Sequence, residues 1–252
     1  MAFCDVHWFS ATLRKQVATY VILPDEGSPP FPCFYLLHGL SDDHTIWHRR
    51  TRIEWYVRGL PLMVVMPDGF RSFYTNHDQG PAYGDYISLD LPAFVERNFP
   101  AIPGREGRCI GGLSMGGYGA LRTALAHPDR YVSATSHSGA VLFGHKTYRR
   151  DTFDVREMQT IFGDQPRGSA HDVVALGRRA KASGQIPALR FDCGTEDFLI
   201  EDNRALHRKL TRAGVPHEYE EFPGQHSWDF WDLHVQQALR FHGRALGIKA
   251  GG

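Results

Sequence analysis

Apolar residues along the chain fall into short dense runs, separated by longer stretches in which they recur every three or four positions. The runs at 17–23 (VATYVIL), 32–37 (PCFYLL), 62–66 (LMVVM), 108–113 (RCIGGL), 132–136 (VSATS), 188–193 (ALRFDC) and 217–222 (HEYEEF) read as strands. Between them, DYISLDLPAFVERNF (85–99) and EDNRALHRKLTRAG (201–214) carry helical spacing, and Gly214 supplies a stop for the second. Strand alternating with helix predicts an α/β fold: a mainly parallel sheet covered on both faces, with the earliest strands the candidates for antiparallel pairing. Two regions break the rhythm. Residues 24–31 (PDEGSPPF) read as a proline-rich hairpin or turn, and 141–187 as a polar excursion. An excursion of that length points to a cap inserted into one domain spanning 1–252, because long structureless connections are uncommon within a domain.

Composition narrows the function. Lys plus Arg and Asp plus Glu both number 28, which leaves no electrostatic footprint for nucleic acid or an anionic membrane. No apolar segment approaches the roughly 20 residues that cross a bilayer. The opening MAFCDVHWFSATLRKQ lacks the basic start and apolar centre of a secretory signal, so a cytoplasmic location is expected. Cys4, Cys33, Cys109 and Cys193 are too scattered for a zinc site or a redox dithiol; buried thiols are expected, with a Cys109–Cys193 bridge left open.

The chemistry begins at CIGGLSMGGYGALRTALAHP, where a strand-like run passes through glycines into a helical pattern. Gly112-Leu113-Ser114-Met115-Gly116 is a G-x-S-x-G placed between strand and helix, the context in which a serine on a sharp turn becomes a nucleophile. A tightly packed glycine connection is the competing reading. Catalytic groups of parallel sheets lie at the carboxyl ends of strands. After ALRFDCG comes Thr195-Glu196-Asp197, and after HEYEEFPG comes Gln225-His226-Ser227. The order Ser114, Asp197, His226 is that of an α/β-hydrolase triad, in which the histidine takes the serine proton and the acid orients the imidazole. Asp192 competes with Asp197 but lies inside the strand run, and Glu196 could serve only from a re-aimed loop. A third strand exit, LLHGLSDD, makes the backbone N–H of Leu40 the partner of the Met115 N–H in an oxyanion hole. His38, beside Gly39, reads as a hydrogen-bonding residue. His44 and His48 are spaced i, i+4 but lack the glutamate of H-E-x-x-H, so no metal is expected. Tyr74, in DGFRSFYTNHDQG, and Trp228, beside His226, are candidate substrate-binding residues, whereas Trp231 reads as helix packing.

These segments resemble a known family. LLHGLSDDHTIW, VVMPDGFRSFYTN, GGLSMGGYGALRTALAHPDRY, SHSGAV, CGTEDFLIEDNRAL and HEYEEFPGQHSWDFW are similar to the esterase D group, in its tributyrin-esterase-like branch. That group is related to S-formylglutathione hydrolases, feruloyl and acetyl-xylan esterases and the antigen 85 mycolyltransferases. The resemblance runs from about residue 17 to about residue 242. It implies an α/β-hydrolase with carboxylic-ester hydrolase activity, Ser114, Asp197 and His226 as triad, and Leu40 and Met115 as oxyanion donors. The expected activity is hydrolysis of short acyl or aryl esters without a cofactor. S-formylglutathione hydrolysis or acyl transfer through the same intermediate is the alternative, and a non-catalytic binding protein on a hydrolase fold the third reading. The expected partner is a small-molecule ester, and the oligomeric state is left open, a homo-oligomer included.

Overall fold

A computed structural model describes residues 1–146 and 155–248, excluding the Val155 side chain. Its centre is an eight-stranded sheet in the order β1-β2-β4-β3-β5-β6-β7-β8. The strands are β1 (Ala2–Ser10), β2 (Lys15–Leu23), β3 (Cys33–Leu37), β4 (Met63–Pro67), β5 (Arg108–Leu113), β6 (Ser133–His137), β7 (Ala188–Gly194) and β8 (Glu218–Phe222). β2 pairs antiparallel with β1 and β4, and every later pairing is parallel. This is the α/β-hydrolase fold.

Every residue of β3, β4, β5 and β6 is buried, which explains runs without alternation: each strand is covered on both faces. Pleating sorts their side chains into two cores. Cys33, Tyr35, Leu37, Met63 and Val65 enter one core with α4 (Leu91–Asn98), α5 (Met115–Ala126), α7 (Val173–Ala182) and α8 (Ile200–Ala213). Phe34, Leu36, Val64 and Met66 enter the other with α1 (Ile46–Arg50), α2 (Ile53–Tyr56) and α9 (Trp228–Leu246). The helical pattern at 85–99 resolves into a single turn α3 (Tyr83–Asp85), a π-helical stretch Tyr86–Asp90, and α4. Gly214 closes α8 at φ +62°, a left-handed position that suits glycine.

β1 was not among the expected strands. It is an edge strand whose Asp5, His7 and Phe9 face solvent while Val6, Trp8 and Ser10 turn inward. Residues 24–31 form a turn rather than a hairpin, because β4 lies between β2 and β3. Of the excursion at 141–187, α7 packs on α5 and α8 and buries Val173, Val174, Leu176 and Ala180 in the helical layer. The rest includes a 3₁₀ turn, Phe143–His145, and α6 (Val155–Phe162); residues 147–154 lie outside the described residues. All four cysteines are free thiols, so Cys109 and Cys193 are not bridged. No helix among the described residues is long and apolar enough to cross a membrane.

Candidate active site

A single residue, Ser114, separates the end of β5 at Leu113 from the start of α5 at Met115. Ser114 has φ +52° and ψ −117°, a conformation that costs a non-glycine residue about 1–3 kcal/mol and persists only when its surroundings enforce it. Three backbone bonds do so. The Ser114 N–H donates to His137 O at 2.9 Å, and Ser114 O accepts from Tyr118 N at 3.1 Å and Ala140 N at 3.0 Å. Gly112 and Gly116 are required by close approach: a Cβ on Gly116 would lie 2.5 Å from Leu37 O and 2.6 Å from His38 O, and one on Gly112 2.6 Å from Leu37 O. The serine hydroxyl therefore stands clear at the carboxyl edge of the sheet.

The loops after β7 and β8 are laced together. Thr195 N donates to Phe222 O at 2.8 Å and Glu196 N to Gly224 O at 3.0 Å, while Gly194 admits the Gly224 carbonyl where a Cβ would be 2.2 Å away. This lacing brings Asp197 to His226. His226 Nδ1 is 2.8 Å from Asp197 Oδ2, and His226 Nε2 is 3.1 Å from Ser114 Oγ. Only a proton on Nδ1 serves the carboxylate, which leaves Nε2 to accept from the serine hydroxyl. Burial pushes the Asp197 carboxyl up, but hydrogen bonds from His226 and the Leu199 N–H outweigh it and hold the group below its ordinary value. Trp231 meets the imidazole edge-on at 4.8 Å between ring centroids, and Phe198 covers it at 4.5 Å. Asp192 is elsewhere: its carboxylate pairs with His137 inside the sheet, and Glu196 is exposed.

Ser114, Met115, Gly39, Leu40, His226 and Trp228 all line one cavity of about 370 Å³. Met115 begins α5 and Leu40 follows β3, so both backbone amides belong to segments bordering Ser114. His38 is buried and fully engaged. Its Nε2 accepts from Gly69 N at 2.8 Å, which places the proton on Nδ1, 2.7 Å from Gly39 O. Tyr74, expected at the pocket edge, is not on the cavity wall. It is wholly buried beneath the loop, where its hydroxyl accepts from His38 N at 3.0 Å and donates to His38 O at 3.1 Å. Its neighbour Phe73 lines the cavity instead. Trp228 lines it too, held edge-on between Trp47 and Trp231, and Trp231 is both packed in the core and part of the wall.

Phe73, Phe143 and Phe198 complete an aromatic lining that sequence reading missed. Phe198 carried a usable signal, since it directly follows Asp197 in a strand-exit loop. His44 and His48 surround Tyr20 with their rings, and His48 lies 3.4 Å from Glu54. A larger groove of about 570 Å³, lined by Trp55, Tyr56 and Leu239 among others, presents no serine, histidine or carboxylate, so volume does not identify the site.

The "Putative esterase" family model matches residues 10–242. An acetyl esterase of Caldicellulosiruptor saccharolyticus is 32% identical over 96% of this chain and 98% of its own length. Among solved structures, FphF, a fluorophosphonate-binding serine hydrolase of Staphylococcus aureus, superposes with a TM-score of 0.84 at 33% identity, covering 95% of this chain and 97% of that one. An S-formylglutathione hydrolase of the same organism gives 0.83 at 33% identity, covering 95% and 98%. With a family model spanning nearly the whole sheet and its site loops, the chain belongs to the Putative esterase family, the esterase D-like serine hydrolases of carboxylic esters.

Proposed function

We propose that the protein hydrolyses short-chain acyl or aryl esters through an acyl-enzyme, with Ser114 as nucleophile, His226 as general base and Asp197 as its orienting acid. The observation that carries this reading is the unbroken relay from Ser114 Oγ through His226 to Asp197, opening on an aromatic cavity. His226 Nε2 removes the hydroxyl proton as Ser114 Oγ attacks the ester carbonyl, and the imidazolium is stabilised by Asp197. The N–H groups of Leu40 and Met115 receive the oxyanion. Collapse of the tetrahedral intermediate expels the alcohol, which takes the proton from His226. Water then enters, gives its proton to His226, and releases the acid while Ser114 is regenerated. The 3₁₀ turn Phe143–His145 and α6 would belong to a cap within one hydrolase domain, from which α7, part of the helical layer, is excluded.

A fluorophosphonate probe tests the nucleophile directly. One equivalent should label the wild type and none Ser114→Ala, which should stay folded and lose activity by orders of magnitude. Labelling or turnover that survives in the variant refutes the assignment. The likeness to an S-formylglutathione hydrolase supports a second reading, thioester hydrolysis by the same residues. Comparing kcat/KM for S-formylglutathione with that for aryl acetates separates the two.

A further inference from the structure

Two adjacent aspartates follow the oxyanion loop, and the fold treats them differently. Asp43 is used structurally: its Oδ1 accepts from Thr45 N at 2.9 Å and from the Thr45 hydroxyl at 2.5 Å just ahead of α1. Asp42 closes a turn, its N–H reaching Gly39 O at 3.3 Å, and its half-buried side chain lies on the wall of the catalytic cavity. Its Oδ2 lies against Gly39, 2.9 Å from where a Cβ would stand on that residue. Among the described residues lining the cavity, Asp42 supplies a carboxylate and no lysine or arginine balances it. Arg49 lies outside that lining, 3.9 Å from Asp43 Oδ1, and its pull on the Asp42 carboxyl ranks behind those of His38 and the Gly39 backbone.

A carboxylate this close to the oxyanion loop does nothing for the charge that develops on the carbonyl oxygen, which it repels. Beyond its contact with the Gly39 backbone, the carboxylate is offered to the part of the substrate that lies along the cavity wall. We propose that Asp42 selects the alcohol half of the ester, favouring leaving groups that carry a cation or hydroxyl donors and disfavouring anionic ones. This rests on the esterase reading above and narrows it. Anionic thiol leaving groups such as glutathione would approach a wall of like charge, whereas polyol or amino-alcohol esters would find an acceptor. Burial pushes the Asp42 carboxyl above its ordinary value, against the pull of His38 and the Gly39 backbone, so the comparison belongs on the alkaline side of neutrality.

Three acetates of similar size make the test: acetylcholine (cationic), its neutral isostere 3,3-dimethylbutyl acetate, and 4-acetoxybutyrate (anionic). Acid release is followed by pH-stat at about pH 8, and each kcat/KM is divided by that of the neutral ester. In the wild type the cationic ratio should exceed the anionic one, and added salt should compress the spread. Asp42→Asn and Asp42→Ser should lower the cationic ratio and raise the anionic ratio, each by about tenfold, the scale of one charge contact in a half-exposed site. Ratios that move less than about twofold overturn the assignment, as does a loss shared equally by the three esters, which marks Asp42 as a turn residue only. Absence of Ser114-dependent turnover of all three would instead strike down the esterase reading itself.

Discussion

His137 Nδ1 lies 2.9 Å from Asp192 Oδ1, with both side chains about 1% exposed. The pair copies the acid–histidine contact of Asp197 and His226, one strand further into the sheet, yet it has no route to Ser114 Oγ through its carboxylate. What it does is brace the end of β6, whose His137 carbonyl accepts the Ser114 N–H. Asp192 also returns a backbone bond, its carbonyl accepting from Ser138 N at 2.8 Å.

The two acids should therefore fail differently. Asp197→Asn keeps the shape but cannot stabilise an imidazolium or enforce its tautomer, so kcat should fall by roughly 10³–10⁴ with little change in melting temperature. Asp192→Asn leaves a buried histidine without its charged partner and should cost about 3–5 kcal/mol of stability, with kcat of the folded fraction within about tenfold of wild type. Steady-state kinetics and thermal melts on both variants decide. A well-folded, inactive Asp192→Asn would show that the wrong acid has been chosen.

Tyr74→Phe isolates the support of the oxyanion loop. The ring should stay, because it is wedged against Gly69 and Gly119, where a Cβ would come within 2.1 and 2.5 Å of it. Only the hydroxyl is lost, leaving the His38 N–H and C=O without that partner in a buried site, at about 1–3 kcal/mol. A loosened Leu40 amide should show as a kcat reduced by about tenfold or more with KM nearly unchanged, since the oxyanion exists only in the transition state. An unchanged kcat would detach Tyr74 from catalysis.

Acid should destabilise the protein well before its carboxylates titrate. His242, on the sheet-facing side of α9, is wholly buried between the hydroxyls of Ser133 at 2.7 Å and Thr135 at 2.9 Å, and burial holds its imidazole down to about 3. His171 is held down to about 4, by burial first and the Arg122 charge second. The native state keeps these rings neutral, while the unfolded chain protonates them below about 6.5. As pH falls through that value the unfolded state binds more protons, and stability drops by about 1.4 kcal/mol per pH unit for His242 until its folded value is reached. Asp197 works in a lower window: its depressed carboxyl contributes fully above about pH 4 and loses that contribution only below it. Urea unfolding at pH 7, 6 and 5 should show the histidine slope, and His242→Asn should flatten it. A pH-independent stability across that interval would contradict the burial argument.

How far the sequence announces this arrangement depends on what each residue touches. The central strands were legible because double-sided burial writes itself as unbroken apolar runs, and Asp197 rather than Asp192 could be expected beside His226 because one follows β7 and the other lies within it. β1 was missed although Val6, Trp8 and Ser10 alternate correctly, since Asp5 and His7 on its open face break the apolar pattern. Tyr74 was misplaced for a different reason. A polar, glycine-bounded loop looks the same whether it rims a pocket or is tucked under one, and the partner that draws Tyr74 inward is 36 residues away. The aromatic wall was only partly visible because Phe73, Phe143 and Phe198 come from three separate loops that sequence adjacency does not connect.

That wall sets the last expectation, the length of acyl chain accepted. Each methylene moved from water into an apolar site contributes about 0.8 kcal/mol, close to fourfold in kcat/KM, so an unobstructed cavity would favour longer chains without limit. Here the cavity is about 370 Å³ and its wall includes Trp228, whose ring is pinned edge-on at 5.3 Å from Trp47 and 5.1 Å from Trp231. A pinned indole cannot swing aside cheaply, because both neighbours are buried in the α1–α9 core. The 4-nitrophenyl series should therefore peak between acetate and butyrate and fall by octanoate, the steric cost overtaking the transfer gain. Trp228→Ala removes the stop and should move the optimum to longer chains while lowering kcat/KM for acetate only modestly. An optimum at octanoate in the wild type would refute the closed wall, and an unshifted profile in the variant would assign the stop to another of the aromatic side chains.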